Sequence, residues 1–304
     1  MLLRSCLVAA LMLAFHAGHA AGKPASSAEI LQQSSAQDWR APDPENTLYL
    51  ELAGGRVIIE LAPAFAPKHV ANIKLLARDH YFDDLFLVRA QDNYVAQWGD
   101  PEEDPKLRKP IHDAAATLPA EFEKRAGKEL PFTRLRDGDI YAPQAGHSEG
   151  FPVARDTRAG KAWLAHCYGM VGAGRDVSPD SGNGGELYVV IGHAPRHLDR
   201  NVTLVGRVLQ GMELLSSLPR GSGALGFYEK PEQRVPIKSL RVAADVPEAA
   251  RTGLEVLRTD TATWNAFVEA RRNRREEWFV QPGGHIELCN VPIPVRPRAM
   301  AAAK

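Results

Sequence analysis

Three side chains that could take part in catalysis or binding follow a short apolar run at residues 86–88. Arg89 is followed five residues later by Tyr94, and Gln97 lies three residues beyond Tyr94. A guanidinium is always charged and rigid, so it is a fixed hydrogen-bond donor. The tyrosine adds an aromatic wall, and the glutamine amide both donates and accepts hydrogen bonds. Taken alone, Arg89 would be an ordinary surface arginine after a strand.

The sequence lacks the residue sets that hydrolysis, phosphate binding or metal binding would require. The sequence offers no plausible Ser/His/Asp set, which disfavours a hydrolase. The glycine-rich residues 169–174 are not followed by Gly-Lys-Ser/Thr, so a phosphate-binding loop is not expected. Cysteine and histidine do not cluster at metal-ligand spacing, and we predict neither a metal site nor a cofactor. Lys+Arg and Asp+Glu both number 37, which gives no reason to expect a nucleic-acid partner.

The elements around Arg89 read as short strands. Leu48, Leu50 and Leu52 alternate with polar neighbours before Gly54-Gly55, and alternation resumes after the glycines, which predicts a β-hairpin. Pro67 begins an apolar stripe at helical spacing. A second, short helix is predicted at residues 211–218. Further strands are predicted at residues 86–88, 94–97, 163–167, 187–191 and 203–208. Many short strands with few helices favour a β-barrel or sandwich.

The run from Phe86 to Asp100 resembles the signature of the cyclophilin family of peptidyl-prolyl cis/trans isomerases. That signature has an apolar strand, an arginine, an aromatic residue five positions on, a glutamine three further, and a closing Gly-Asp. Four more segments appear in the family's order, at residues 55–72, 169–175, 183–188 and 197–208. The resemblance covers residues 46–245. It implies a mainly β fold, a closed eight-stranded antiparallel barrel capped by two helices.

The resemblance implies an enzyme that isomerises X–Pro bonds. Rotation about such a bond is slow because amide resonance sets a barrier of about 18–20 kcal/mol. A catalyst must favour the twisted amide over both planar forms. Twisting returns a lone pair to the prolyl nitrogen, and Arg89 is the implied catalytic donor to that lone pair.

The resemblance also implies how a proline-containing polypeptide is bound. The implied proline pocket is lined by Tyr94, Tyr188 and Leu198, with His197 at its rim. Gln97 and the backbone at Gly174 and Arg175 hold the peptide that flanks the proline. We expect the protein to act as a monomer.

Five positions depart from better-known cyclophilins. The family's glutamine, phenylalanine, methionine, tryptophan and histidine are replaced by Glu186, Tyr188, Ala173, His197 and Val202. These changes motivate an alternative function, that of a weakly catalytic binding module or chaperone for proline-containing segments. Cyclosporin binding, which in the family depends on that tryptophan, is also called into question.

The N-terminal residues predict export. Arg4 precedes a short apolar core at residues 7–15, and small residues end at Ala20, which is typical of a signal peptide comprising residues 1–20. The alternative is a membrane anchor, but a span needs about 20 apolar residues. We therefore expect a periplasmic protein that is not inserted in the membrane after cleavage, with secretion as the alternative.

Three segments lie outside the barrel pattern. Residues 21–45 are predicted to be a linker, residues 101–162 a long loop insertion, and residues 246–304 a C-terminal α/β extension. The arginine-rich residues 271–275 are expected to be a solvated helix face, with a basic patch for a partner as the alternative. Cys167 and Cys289 would remain after export, either as one disulfide or as two buried thiols.

Overall fold

The computed structural model describes residues 24–298 except Glu103 and Pro105, so the predicted signal peptide lies outside the described residues. The helices are α1 (Ser27–Gln32), α2 (Pro67–Arg78), α3 (Met212–Ser216) and α4 (Ala262–Arg272). The strands are β1 (Trp39–Arg40), β2 (Thr47–Leu52), β3 (Gly55–Leu61), β4 (Phe86–Ala90), β5 (Val95–Gly99), β6 (Lys124–Arg125), β7 (Thr133–Leu135), β8 (Gln144–Ser148), β9 (Phe151–Asp156), β10 (Lys161–Leu164), β11 (Met170–Ala173), β12 (Leu187–Val190), β13 (Leu204–Gln210), β14 (Val235–Val242), β15 (Leu254–Leu257) and β16 (Val295–Pro297). Within this part of the chain, no helix is both long and apolar enough to cross a membrane.

Eight of the strands close into an antiparallel barrel, which confirms the predicted architecture. The order around the barrel is β11-β12-β5-β4-β14-β2-β3-β13, and β13 pairs back with β11. The predicted hairpin is the β2–β3 pair, in which Leu50 lies opposite Val57. Because side chains alternate between the two faces of a strand, these residues fill the interior, while Tyr49 and Ile58 face outward.

Two helices close the barrel, as expected. The apolar stripe of α2, formed by Val70, Ile73, Leu76 and Ala77, packs into the barrel core. Leu215 of α3 is fully buried in the same core. The interior is therefore a packed apolar core, and polar chemistry has to take place on the outer face of the barrel.

The insertion at residues 101–162 differs from the predicted long loop. It contains strands β6 to β9, which join β10 in a five-stranded antiparallel sheet of order β6-β10-β9-β8-β7. Small residues such as Ala145 and Gly146 occupy its strands, so the apolar alternation that marks a strand is weak. Ala145, Phe151 and Val153 are nevertheless buried, in a second core outside the barrel.

The described part of the predicted linker, residues 24–45, is also structured. Within residues 21–45, β1 pairs with β15 of the C-terminal extension, and β15 pairs with β16, giving a three-stranded sheet. Trp39 of β1 is buried in the second core with Trp264 and Phe267 of α4. A two-residue strand carries too little pattern to be read from the sequence, and only its partner makes it regular.

The arginine-rich end of α4 is not fully solvated, in contrast to the prediction. The guanidinium of Arg272 is 6% exposed and donates to both carboxylate oxygens of Asp137, at 2.7 and 2.5 Å. Asp137 belongs to the insertion, so this ion pair joins two segments that are far apart in the sequence. Charge patterning within the helix could not reveal a partner at that distance.

Cys167 and Cys289 form a disulfide, which decides between the two alternatives. The bond joins the chain just before β11 to the C-terminal extension, across a sequence separation of 122 residues. Both sulfurs lie in the second core, so the barrel and the extension are connected covalently as well as by packing.

Replacing Cys289 with serine should lower the free energy of unfolding by about 2–5 kcal/mol, because the unfolded chain is no longer constrained by a long closed loop. Urea denaturation of the wild type and of Cys289→Ser, each with and without a reducing agent, measures this. The reducing agent should bring the wild type to the stability of the variant and leave the variant unchanged. Equal stability of the oxidised wild type and the variant would contradict the prediction.

Candidate active site

The strand alternation of the barrel places a row of side chains on its outer face. Gln97 of β5 and Tyr188 of β12 are cross-strand partners, and both point away from the interior. Their neighbours along the strands point inward, into the barrel core: Ala96, Trp98, Leu187 and Val189. The outer row thus rests on a rigid apolar layer.

Arg89 lies opposite Gln97 in the pairing of β4 with β5, next to an irregularity in the register after Leu87. Its Nη1 donates to Oε1 of Gln97 at 3.1 Å, and its Nε donates to the carbonyl oxygen of Leu225 at 2.6 Å. The remaining terminal nitrogen donates to Oε1 of Gln91. Burial lowers the pKa of the Arg89 guanidinium, because the charged form loses hydration. The guanidinium is therefore held on several sides and partly desolvated.

Aromatic rings flank this guanidinium. Its central carbon lies 5.7 Å from the ring centroid of Tyr94 and 5.2 Å from that of Phe227. The Tyr94 ring is stacked on His197, with 6.3 Å between centroids and 5° between planes. Tyr94 and His197, which are far apart in the sequence, therefore form one wall beside Arg89.

Gln97 connects Arg89 to an acidic residue. Its Nε2 donates to Oε2 of Glu186 at 2.9 Å, while its Oε1 accepts from Arg89. Burial raises the pKa of the Glu186 carboxyl, and the nearby carboxylates of Asp176 and Asp100 act in the same direction. The three side chains form a continuous hydrogen-bonded row on the outer face.

Tyr188 is at the base of the site, and its hydroxyl belongs to a second network. It is 6% exposed and packs in an apolar cluster with Val95 and Val190, against which Tyr94 also lies. Its hydroxyl is 2.8 Å from Nε2 of His166. Burial raises the pKa of the Tyr188 hydroxyl, so the hydroxyl keeps its proton.

The other side of His166 is held by acidic and basic groups. Its Nδ1 is 3.0 Å from Oδ1 of Asp199, and Arg196 donates to the other oxygen of Asp199 at 2.6 Å. Arg196 also pairs with Asp139 of the insertion at 2.7 Å. Burial lowers the pKa of His166, so the ring is neutral with its proton on Nδ1 toward Asp199. Tyr188 is then the donor to Nε2, and the insertion is connected to the base of the site.

Three further residues were predicted to bind the substrate: Gly174, Arg175 and Leu198. Gly174 approaches Gln97 closely, since a Cβ at this position would lie 3.5 Å from the Gln97 Nε2. Leu198, which is half-buried, ends the same helical turn that carries His197. The guanidinium of Arg175 turns toward the backbone carbonyls of Asn201, Asp176 and Val177. The hydrogen bonds of the Arg175 guanidinium therefore go to main-chain carbonyls and not to Arg89 or Gln97.

The order of segments, the closed barrel and the outer row with Arg89 at its centre agree with one family. Residues 47–242 match the family model described as cyclophilin type peptidyl-prolyl cis-trans isomerase/CLD. The chain belongs to the cyclophilin family. It is a peptidyl-prolyl cis-trans isomerase, as the family resemblance implied.

Individual relatives of this cyclophilin agree with the family model. A probable peptidyl-prolyl cis-trans isomerase of Brucella suis is 30% identical over 213 residues, covering 67% of this chain and 87% of that protein. Peptidyl-prolyl cis-trans isomerase-like 1 of Bos taurus is 25% identical, covering 69% of this chain and 94% of that protein. The crystal structure of cyclophilin AquaCyp293 from Hirschia baltica superimposes with a TM-score of 0.69 and 27% identity, covering 85% of this chain and 92% of that one. This last likeness extends beyond the barrel.

The sequence did not point to the loop that closes over Arg89 in this cyclophilin. Leu225 supplies a carbonyl acceptor and Phe227 an aromatic face, and Phe227 forms an isolated β-bridge with Arg89. The loop also comes close to Gln91 at Gly226, where a Cβ would lie 2.6 Å from the Gln91 Cα. These residues follow Arg89 by more than 130 positions, and no local pattern marks them.

Replacing Tyr188 with phenylalanine should lower the free energy of unfolding by about 1–3 kcal/mol, because the buried Nε2 of His166 loses its only described donor. Thermal or urea denaturation at neutral pH measures the change. Tyr168→Phe is the matched control. Tyr168 is 50% exposed, so removing its hydroxyl should leave no buried group without a hydrogen-bond partner. Equal losses in the two variants would show that the buried hydrogen bond contributes nothing.

Proposed function

We propose that this cyclophilin isomerises X–Pro bonds of proteins outside the cytoplasm, with Arg89 as the residue that stabilises the twisted amide. The observation that carries the assignment is the position of the Arg89 guanidinium: it is held by Gln97 and the Leu225 carbonyl and flanked by the Tyr94 and Phe227 rings. The guanidinium is thus oriented before substrate arrives. Preorganised donors are effective because they need no reorganisation as the amide twists.

The hydrogen bonds to Arg89 leave donors for the substrate. Each terminal nitrogen of a guanidinium carries two hydrogens. Gln97 uses one hydrogen on Nη1, and Gln91 uses one on the other terminal nitrogen. An N–H on each terminal nitrogen remains to be directed at the prolyl nitrogen, whose lone pair is available only in the twisted state. The interaction therefore favours the transition state over both planar forms.

The neighbouring residues are proposed to bind the substrate. Tyr94, His197, Leu198 and the base formed by Tyr188 offer the proline ring an apolar and aromatic surface. Gln97 and the backbone at Gly174 and Arg175 are proposed to contact the flanking peptide. The binding partners are accordingly proline-containing polypeptides. All these groups come from one chain, so a monomer carries a complete site.

Replacing Arg89 with alanine should lower kcat/KM for a proline-containing peptide by about 10²–10³, the cost of removing one preorganised donor. The loss should be mainly in kcat, because the donor acts on the twisted amide rather than on the bound planar forms. Exchange spectroscopy of a peptide with resolved cis and trans signals measures the rate. Arg298→Ala, at an exposed arginine, is the control and should match the wild type.

The assignment of Arg89 would be overturned if Arg89→Ala and Arg298→Ala isomerised the peptide equally fast. Peptide binding should be measured in parallel by titration. A variant that still binds the peptide but no longer accelerates its exchange would match the proposed role, since the aromatic surface remains in place.

Export is proposed from two independent features. Residues 1–20 have the pattern of a signal peptide, and the Cys167–Cys289 disulfide suits an oxidising compartment. We infer a periplasmic location, with secretion as the alternative. Residues 1–30 fused to a reporter enzyme that is active only after export should give reporter activity in a bacterial host. The same fusion beginning at residue 21 is the control, and equal activity of both would contradict the proposal.

A further inference from the structure

We propose that Glu186, as a carboxylate, is a positioning residue for isomerisation: it fixes the orientation of the Gln97 amide, and the amide in turn holds Arg89. This inference rests on the proposed catalytic role of Arg89. It assigns a role to an acidic side chain at a position where better-known cyclophilins have glutamine. It also predicts that catalysis depends on pH in a way that a glutamine would not produce.

The argument begins with the two faces of the Gln97 amide. Its Nε2 donates to Oε2 of Glu186 at 2.9 Å, and its Oε1 accepts from Nη1 of Arg89 at 3.1 Å. A carboxylate only accepts hydrogen bonds and a guanidinium only donates them. One amide orientation satisfies both neighbours, and the flipped orientation satisfies neither. Ionised Glu186 therefore selects the orientation that presents an acceptor to Arg89.

The backbone around Glu186 brings its side chain to Gln97. A Cβ at Gly99 would lie 2.7 Å from the Cγ of Glu186, so only glycine leaves room for the side chain there. A Cβ at Gly174 would lie 3.2 Å from the Cβ of Glu186. The backbone carbonyl of Glu186 also accepts from the N–H of Gly174 at 2.9 Å. Two close glycines and a backbone hydrogen bond thus confine the carboxylate beside the amide.

Several charged or titratable groups act on the Glu186 carboxylate. Burial is the largest influence and raises the pKa of Glu186 above the ordinary 4.5, and Asp176 and Asp100 raise it further. Arg108 of the insertion and the hydrogen bond from Gln97 oppose the increase. Burial raises the pKa of the nearby Tyr81 hydroxyl, and the negative charge of Glu186 in turn raises it further. The carboxylate therefore takes up a proton at a higher pH than an exposed glutamate does.

Protonation removes the contribution of Glu186 to this selection and leaves Arg89 to orient the amide. A neutral carboxyl carries an O–H donor, so it can donate to Oε1 of a flipped Gln97 amide. The flipped amide presents its NH₂ group to Arg89, where two donors then face each other. Arg89 then loses the hydrogen bond to Gln97 that helps to orient its guanidinium. The twisted X–Pro amide of the substrate consequently loses a fixed donor. Because Arg89 acts in the transition state, acidification should lower kcat and leave KM nearly unchanged.

The test measures kcat and KM for a proline-containing peptide from neutral to acidic pH by exchange spectroscopy. The wild type should show a fall in kcat with a midpoint above pH 4.5, the ordinary pKa of glutamate. Glu186→Gln has the same shape, does not titrate and, like the protonated carboxyl, can also donate a hydrogen bond. It should therefore show the lowered kcat of the acidified wild type at neutral pH and have no acidic limb. Glu186→Leu removes the acceptor and should lower kcat at neutral pH by about tenfold, the worth of a hydrogen bond to a charged group.

A second background tests whether Glu186 acts through Gln97. In Gln97→Leu, adding Glu186→Leu should cause no further loss of kcat, because the connecting amide is already absent. Asp176→Asn is the matched carboxylate control: it should keep the acidic limb and shift it to lower pH, since one repulsive charge near Glu186 has been removed. Circular dichroism at each pH identifies any variant that unfolds.

The inference would be overturned if Glu186→Gln retained the acidic limb, or if Glu186→Leu lowered kcat tenfold further in the Gln97→Leu background. If Arg89→Ala were as active as the wild type, the catalytic role of Arg89 would instead be wrong. The two failures are therefore distinguishable within one set of measurements.

Discussion

The alternation of side chains across the barrel wall is the constraint on which the rest of the structure depends. A closed barrel of eight strands has an interior that its own side chains fill, and here Ala96, Trp98, Leu187 and Val189 belong to that filling. Any polar chemistry must then use the outward residues of the same strands. Gln97 and Tyr188 lie on that face because their neighbours in the chain face the core. The site is thus a surface of the barrel, with the core as its rigid support.

A site on an outer face needs walls that the barrel does not supply. In this cyclophilin the loop containing Leu225 and Phe227 covers Arg89, and the turn containing His197 stacks on Tyr94. These walls partly desolvate the guanidinium, which strengthens its hydrogen bonds and lowers its pKa. The same desolvation makes an unsatisfied polar group costly. This explains why the amide, carboxylate and carbonyl groups around Arg89 are paired so completely.

The segments outside the barrel form a second core rather than loose appendages. Trp39 from the N-terminal segment, Phe151 from the insertion and Trp264 from the extension are buried together. The Arg272–Asp137 ion pair joins the extension to the insertion, and the Cys167–Cys289 disulfide joins the extension to the barrel. Asp139 of the insertion reaches the base of the site through Arg196, Asp199 and His166. The second core therefore supports one edge of the site as well as the ends of the chain.

Local pattern in the sequence was enough to predict the hairpin at Gly54-Gly55, the helix beginning at Pro67 and the spacing of Arg89, Tyr94 and Gln97, because each depends on neighbours within a few residues. The family resemblance added the closed barrel. Only the tertiary structure decided the rest. Phe227 meets Arg89, Asp137 meets Arg272 and β1 becomes a strand only through partners far away in the sequence. The sheet within the insertion was missed for a related reason: its short strands become regular only through pairing and burial, which no local periodicity encodes.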